Sequence, residues 1–101
     1  MTKAYSVDIK KSPKKDKKFR AIFKDRSGKI IKQTDFGAKG MSDYTIHKDT
    51  ERRARYRKRH KKDLDTKDFK RAGYLSYYIL WGDSSDLNTA IKDYKKRFKL
   101  N

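Results

Sequence analysis

Over the first forty residues apolar side chains tend to alternate with polar ones, whereas over the last thirty they recur at every third or fourth position. In "AYSVDI", Ala4 to Ile9, the residues Tyr5, Val7 and Ile9 share one face of a predicted strand. "FRAIF", Phe19 to Phe23, predicts a second strand and "KIIKQTDF" a third. "KDRSGK" between them reads as a hairpin turn, with Gly28 free to take a positive φ. "KKSPKKDKK" holds the only Pro and six Lys, a solvated loop. Two or three antiparallel strands are expected.

The alternation breaks at "DFGAKGMSDY", where Gly37 and Gly40 predict a tight turn. Ser42 or Asp43 can cap a short helical turn reaching Ile46. Asp49 or Thr50 can cap the helix after it, with Glu51 favourably placed in its first turn. Asp63, Asp65 and Asp68 are expected in a loop, balancing Lys67, Lys70 and Arg71. "AGYLSYYILWG", Ala72 to Gly82, is the most apolar segment and predicts a buried helix. Leu75, Tyr78 and Ile79 share a face, Tyr74, Tyr77 and Trp81 surround it, and Gly82 stands where glycine often follows a helix end. A last helix, capped by Ser84 or Ser85, carries Leu87, Ala90, Ile91, Tyr94 and Phe98 in one stripe.

The predicted fold class is therefore α+β: a small antiparallel β-sheet of two or three strands, then a basic helix, then an aromatic-rich αα-hairpin. The chain reads as one domain over 1–101, strand-rich over 1–40, a basic helix region over 41–64 and a helical hairpin over 70–100. Leu75, Ile79, Leu87, Ile91 and Tyr94 are expected to be buried, and the basic helix largely exposed.

Composition changes this picture only in part. With 34% hydrophobic and 43% charged residues, the chain could pass for a disordered one, but 13% aromatic content argues for a packed core. The absence of Cys excludes disulfides and thiolate metal sites. No apolar run approaches the ~18 residues of a membrane span, so a soluble protein without membrane insertion or a signal peptide is expected.

Charge changes it more. The net charge is +17. In "ERRARYRKRHKK", Glu51 to Lys62, eight of twelve residues are Arg or Lys. As a helix this is about 18 Å of positive surface. Arg52, Arg53, Arg55, Arg57, Lys58, Arg59, Lys61 and Lys62 are the candidate contacts to a polyanion or an acidic partner, because guanidinium groups on a helix meet phosphate or carboxylate in fixed register. Tyr56 and His60 share one face, but no wide apolar stripe accompanies them. Such a segment also suits a solvated helix shielding its own seat with long side chains. Tyr74, Tyr78, Trp81 and Phe98 are candidate packing or interface anchors.

No zinc finger, basic zipper or ribonucleoprotein motif is present. His47 and His60 lack metal spacing, and no nucleophile–His–carboxylate pattern occurs, so neither an enzyme nor a cofactor is expected. A host-membrane role is disfavoured, since an interfacial helix needs a large apolar face.

The blocks "FGAKGMSDYTIHKD", "RYRKRH", "AGYLSYYILWG" and "IKDYKKRFKL" resemble, in the same order, a small uncharacterised family of nucleocytoplasmic large DNA viruses, including algal and other giant viruses. The resemblance spans residues 17–100 and brings no catalytic residue with it. It implies a viral protein located in the virion, and in the host cytoplasm or viral factory during infection. Two functions follow as expectations. One is a minor capsid or cement protein whose basic helix docks on acidic surfaces of other virion proteins, in shell or core. The other is a nucleic-acid-binding protein that packages or handles viral DNA, or contacts RNA, through non-specific phosphate contacts.

Overall fold

Alternation brings the apolar side chains of the first forty residues onto one sheet face. The computed structural model describes residues 4–101. Strands β1 (Ser6–Lys11), β2 (Lys17–Lys24) and β3 (Ile30–Ala38) form an antiparallel meander in the order β1-β2-β3. Val7 pairs with Phe23, Ile9 with Ala21 and Phe19 with Phe36. Val7, Ala21, Phe23 and Phe36 are fully buried, while Tyr5 falls just before β1 and stays exposed. On the opposite face Arg20 pairs with Asp35, Nε to Oδ1 at 2.9 Å, and Lys24 with Asp8. The register slips where Phe23 faces Lys32 and Lys24 faces Ile30, so Ile31 is the extra residue of a bulge and packs toward the core.

The turn before β3 is built by Asp25, whose Oδ1 accepts from the backbone N–H of Ser27 and Lys29, and Gly28 takes a φ of 89° as expected. Gly37 does not belong to a turn. It lies inside β3 at a φ of 80°, where an added Cβ would stand 2.8 Å from Leu80 Cδ1. The residue at the far end of the chain also serves the sheet. The Asn101 N–H donates to the Tyr5 carbonyl and its own carbonyl accepts from Val7, covering the start of the free β1 edge.

Helix α1 (Tyr44–His47) is capped by Asp43 and α2 (Thr50–His60) by Asp49, each through a carboxylate that accepts N–H groups of the first turn. The aspartates expected in a loop fall differently. Asp63 and Asp65 sit in a 3-10 helix, Lys61–Thr66, that continues α2, while Asp68 lies beyond it and pairs with Lys70 and Arg71. Helix α3 (Ala72–Leu75) widens into a π-helical turn, Ser76–Leu80. Helix α4 (Leu87–Arg97) is capped by Asp86 through the Thr89 N–H, not by Ser84 or Ser85. The Ser84 hydroxyl instead accepts from the Asp86 N–H.

The hairpin made by Ala72–Leu80 and α4 lies on the apolar sheet face, and the fold is α+β. Leu75, Ile79, Leu80 and Tyr94 complete the core. Leu87 and Ile91 were expected there too, but they stand at its rim, half-buried. Polar tips inside the core are satisfied by backbone. The Tyr94 hydroxyl donates to the Phe69 carbonyl and that of Tyr74 to the Leu64 carbonyl. Burial raises the pKa of Tyr94.

Candidate functional site

Asp49 at the cap and Glu51 in the first turn oppose the positive end of the α2 dipole, so a helix this basic is still locally favoured. None of its residues is fully buried. Its faces nevertheless differ. Arg53, Tyr56, Arg57 and His60, at i, i+3, i+4 and i+7, are half-buried, while Ala54 is exposed.

The inner face is aromatic and cationic together. The Tyr56 ring is stacked between those of Trp81 and His60, with centroids 4.2 Å away in both cases. His47 follows Trp81 at 5.2 Å. His60 Nδ1 lies 3.1 Å from an Asp63 carboxylate oxygen. Trp81 reaches Tyr56 because the π turn, closed by the Trp81 N–H to the Ser76 carbonyl, takes it out of α-helical register.

Two arginines are spent on this seat. The Arg53 guanidinium stands 4.8 Å from the centre of the Tyr44 ring and donates to the carbonyls of Gly82 and Asp83. Arg57 lies over the Tyr77 ring and donates to Asp83 Oδ1 at 3.0 Å. Arg53 and Arg57, two of the eight candidate contacts, thus hold α2 to its own protein.

The other six candidates are exposed to solvent: Arg52, Arg55, Lys58 and Arg59 on α2, with Lys61 and Lys62 just after it. No carboxylate among the described residues pairs with any of them. Beside this strip a cleft of ≈ 450 Å³ opens between α2, the end of β3 and the α3 segment. Lys17, Arg52 and Arg59 line it, together with Asp43 and Asp63. Asp43 is already engaged by Lys18 at 2.5 Å and by Thr45, and Asp63 faces His60. Lys17 was not singled out by sequence, because only the packing of α2 beside the start of β2 and the end of β3 brings it to the cleft.

The four anchor candidates all pack within the protein. Phe98 contacts Phe69, Tyr74, Tyr78 and Tyr94, with its ring 5.0 Å from that of Phe69 and 4.9 Å from that of Tyr94. Arg97 covers the Tyr78 ring, and Trp81 belongs to the α2 seat.

A model described as a family of unknown function, DUF5754, matches residues 7–60. That span exceeds half of the chain. The chain belongs to this family. The DUF5754 match begins within β1 and ends on the last residue of α2, so it takes in nearly the whole sheet and the entire basic helix. No curated protein and no solved structure matches the chain. Among the described residues, no helix is long and apolar enough to cross a membrane.

Proposed function

We propose that this chain is a structural docking protein of a large DNA virus, a minor capsid or cement component that seats the outer face of α2 on an acidic surface of another virion protein. The viral setting follows from the resemblance of its sequence blocks. The docking role follows from one observation: Arg52, Arg55, Lys58, Arg59, Lys61 and Lys62 stand exposed and unpaired, on or just after a helix whose inner face is locked in place. A rigid support pays the orientational cost in advance, so many weak charge contacts can add together. The net charge of +17 keeps free copies apart until an acidic surface neutralises them.

A second reading, sequence-independent binding to nucleic-acid phosphates, is favoured by the cleft, where Lys17 joins Arg52 and Arg59. The rings nearest the strip, Tyr56 and Trp81, are stacked on each other, which supports contact without base reading.

Fractionation of purified particles tests the first reading: the chain is expected in shell or core, and absence from the particle sinks it. Salt titration separates the second. If about six phosphates are neutralised on duplex DNA, log K falls with log salt at a slope near −5. Negligible DNA binding near physiological salt would leave only the protein partner.

A further inference from the structure

Sharing the Lys18–Asp43 pair with the cleft, a notch of ≈ 460 Å³ lies between the end of β1, the start of β2, the turn after β3, and the start of α4. Its apolar walls are Phe19 and Leu87, both half-buried, and its lip is Ile46, which is 62% exposed. Lys11 and Lys39 stand exposed on the rim. Lys18 and Asp43 also line it but neutralise each other, so the charge that the notch presents is that of the two rim lysines.

A single exposed Ile is ordinary on a protein surface. This one borders a concave apolar surface and is held in position. A four-residue helix has no stability of its own. Here α1 is fixed by the Asp43 cap and by the ion pair that ties Asp43 to β2.

We infer that the notch receives one large apolar side chain from an acidic peptide segment of the partner, which rests on the docking reading of α2. Charge and shape select this occupant. The two lysines repel a second copy of this strongly basic chain and attract carboxylates. A phosphate backbone has no apolar side chain to fill the space between Phe19, Ile46 and Leu87. The exposed strip of α2 supplies attraction without choice of partner, whereas a filled apolar pocket supplies choice.

The test uses two labelled peptides of equal length, all-Glu and Glu with one central Phe, measured by fluorescence anisotropy. Burying the Phe should make the second peptide bind about tenfold more tightly. Ile46→Ser should abolish that advantage while leaving the all-Glu peptide unchanged. Equal binding of the two peptides, or an advantage that survives Ile46→Ser, overturns the inference. Loss of duplex DNA binding in Ile46→Ser would assign the notch to nucleic acid and also overturns it. The triple variant Arg55→Glu, Lys58→Glu, Lys62→Glu is read separately. If it binds the all-Glu peptide as well as wild type does, the α2 reading fails, while the Phe advantage still reports on the notch.

Discussion

The ring of Tyr56 lies 4.2 Å from that of Trp81, with the two planes 7° apart. This stack decides which side of the basic helix faces the protein. Arg53 and Arg57 flank it and turn inward to Tyr44 and Tyr77, so the remaining cations turn outward. One aromatic contact thereby divides eight similar-looking positive charges into two that hold structure and six that stay exposed.

Tyr56→Ala should lower stability by about 2 kcal/mol, through lost burial and lost ring stacking. Trp81 is the only Trp, so its fluorescence reports this site alone, and its emission should shift to the red. Tyr56→Phe keeps the stack and should shift neither the emission nor the urea midpoint by much.

Gly82→Ala should destabilise by about 3 kcal/mol or prevent folding, because overpacking against backbone cannot be relieved by a rotamer change. The added Cβ would stand 2.1 Å from the Tyr78 carbonyl oxygen. Gly40→Ala meets open space and pays only for its φ of 89°, about 1 kcal/mol. Thermal melts of the two variants should rank in that order.

Neutralising the inner and outer charges should have opposite consequences. Arg57→Ala loses an ion pair and a cation–π contact and should cost about 1–2 kcal/mol in denaturant melts. Arg55→Ala with Lys58→Ala should leave stability within about 0.5 kcal/mol. That double variant should elute from a heparin column at lower salt, since the removed charges are exposed and unpaired.

Acid should weaken the outer sheet face through Asp35. The hydrogen bond from Arg20, helped by Ser12, holds the Asp35 carboxyl at a pKa of about 2. A depressed folded-state pKa contributes stability that is fully present above the unfolded value, ~3.9, and is lost as pH falls from there through the folded value. Asp35→Asn should flatten that part of the curve in melts taken between pH 5 and 2.

Much of this fold was legible along the chain. Val7, Phe23 and Phe36 alternate with polar neighbours, Gly28 marks its turn, and Asp43 and Asp49 stand where helix caps are wanted. Each of these depends on residues a few positions apart. Gly82 follows the helix end as its position suggested, and the π turn adds a reason for glycine there by bringing the Tyr78 carbonyl against it. A misreading arose where a more distant residue intervenes. Gly37 resembled a turn residue, yet it lets Leu80 approach β3.

The candidate site shows the same division. Periodicity and capping are local, so the order of strand, basic helix and hairpin, and the excess of positive charge in its middle, are properties of the sequence alone. The fate of each charge is not local. A guanidinium points inward when an aromatic face and a free carbonyl lie within reach and outward when water is the better partner. For Arg53 and Arg57 those partners are Tyr44, Tyr77, Gly82 and Asp83, brought there by chain packing. For Arg52, Arg55, Lys58 and Arg59 no such partner is assembled among the described residues, and folding leaves them exposed to solvent.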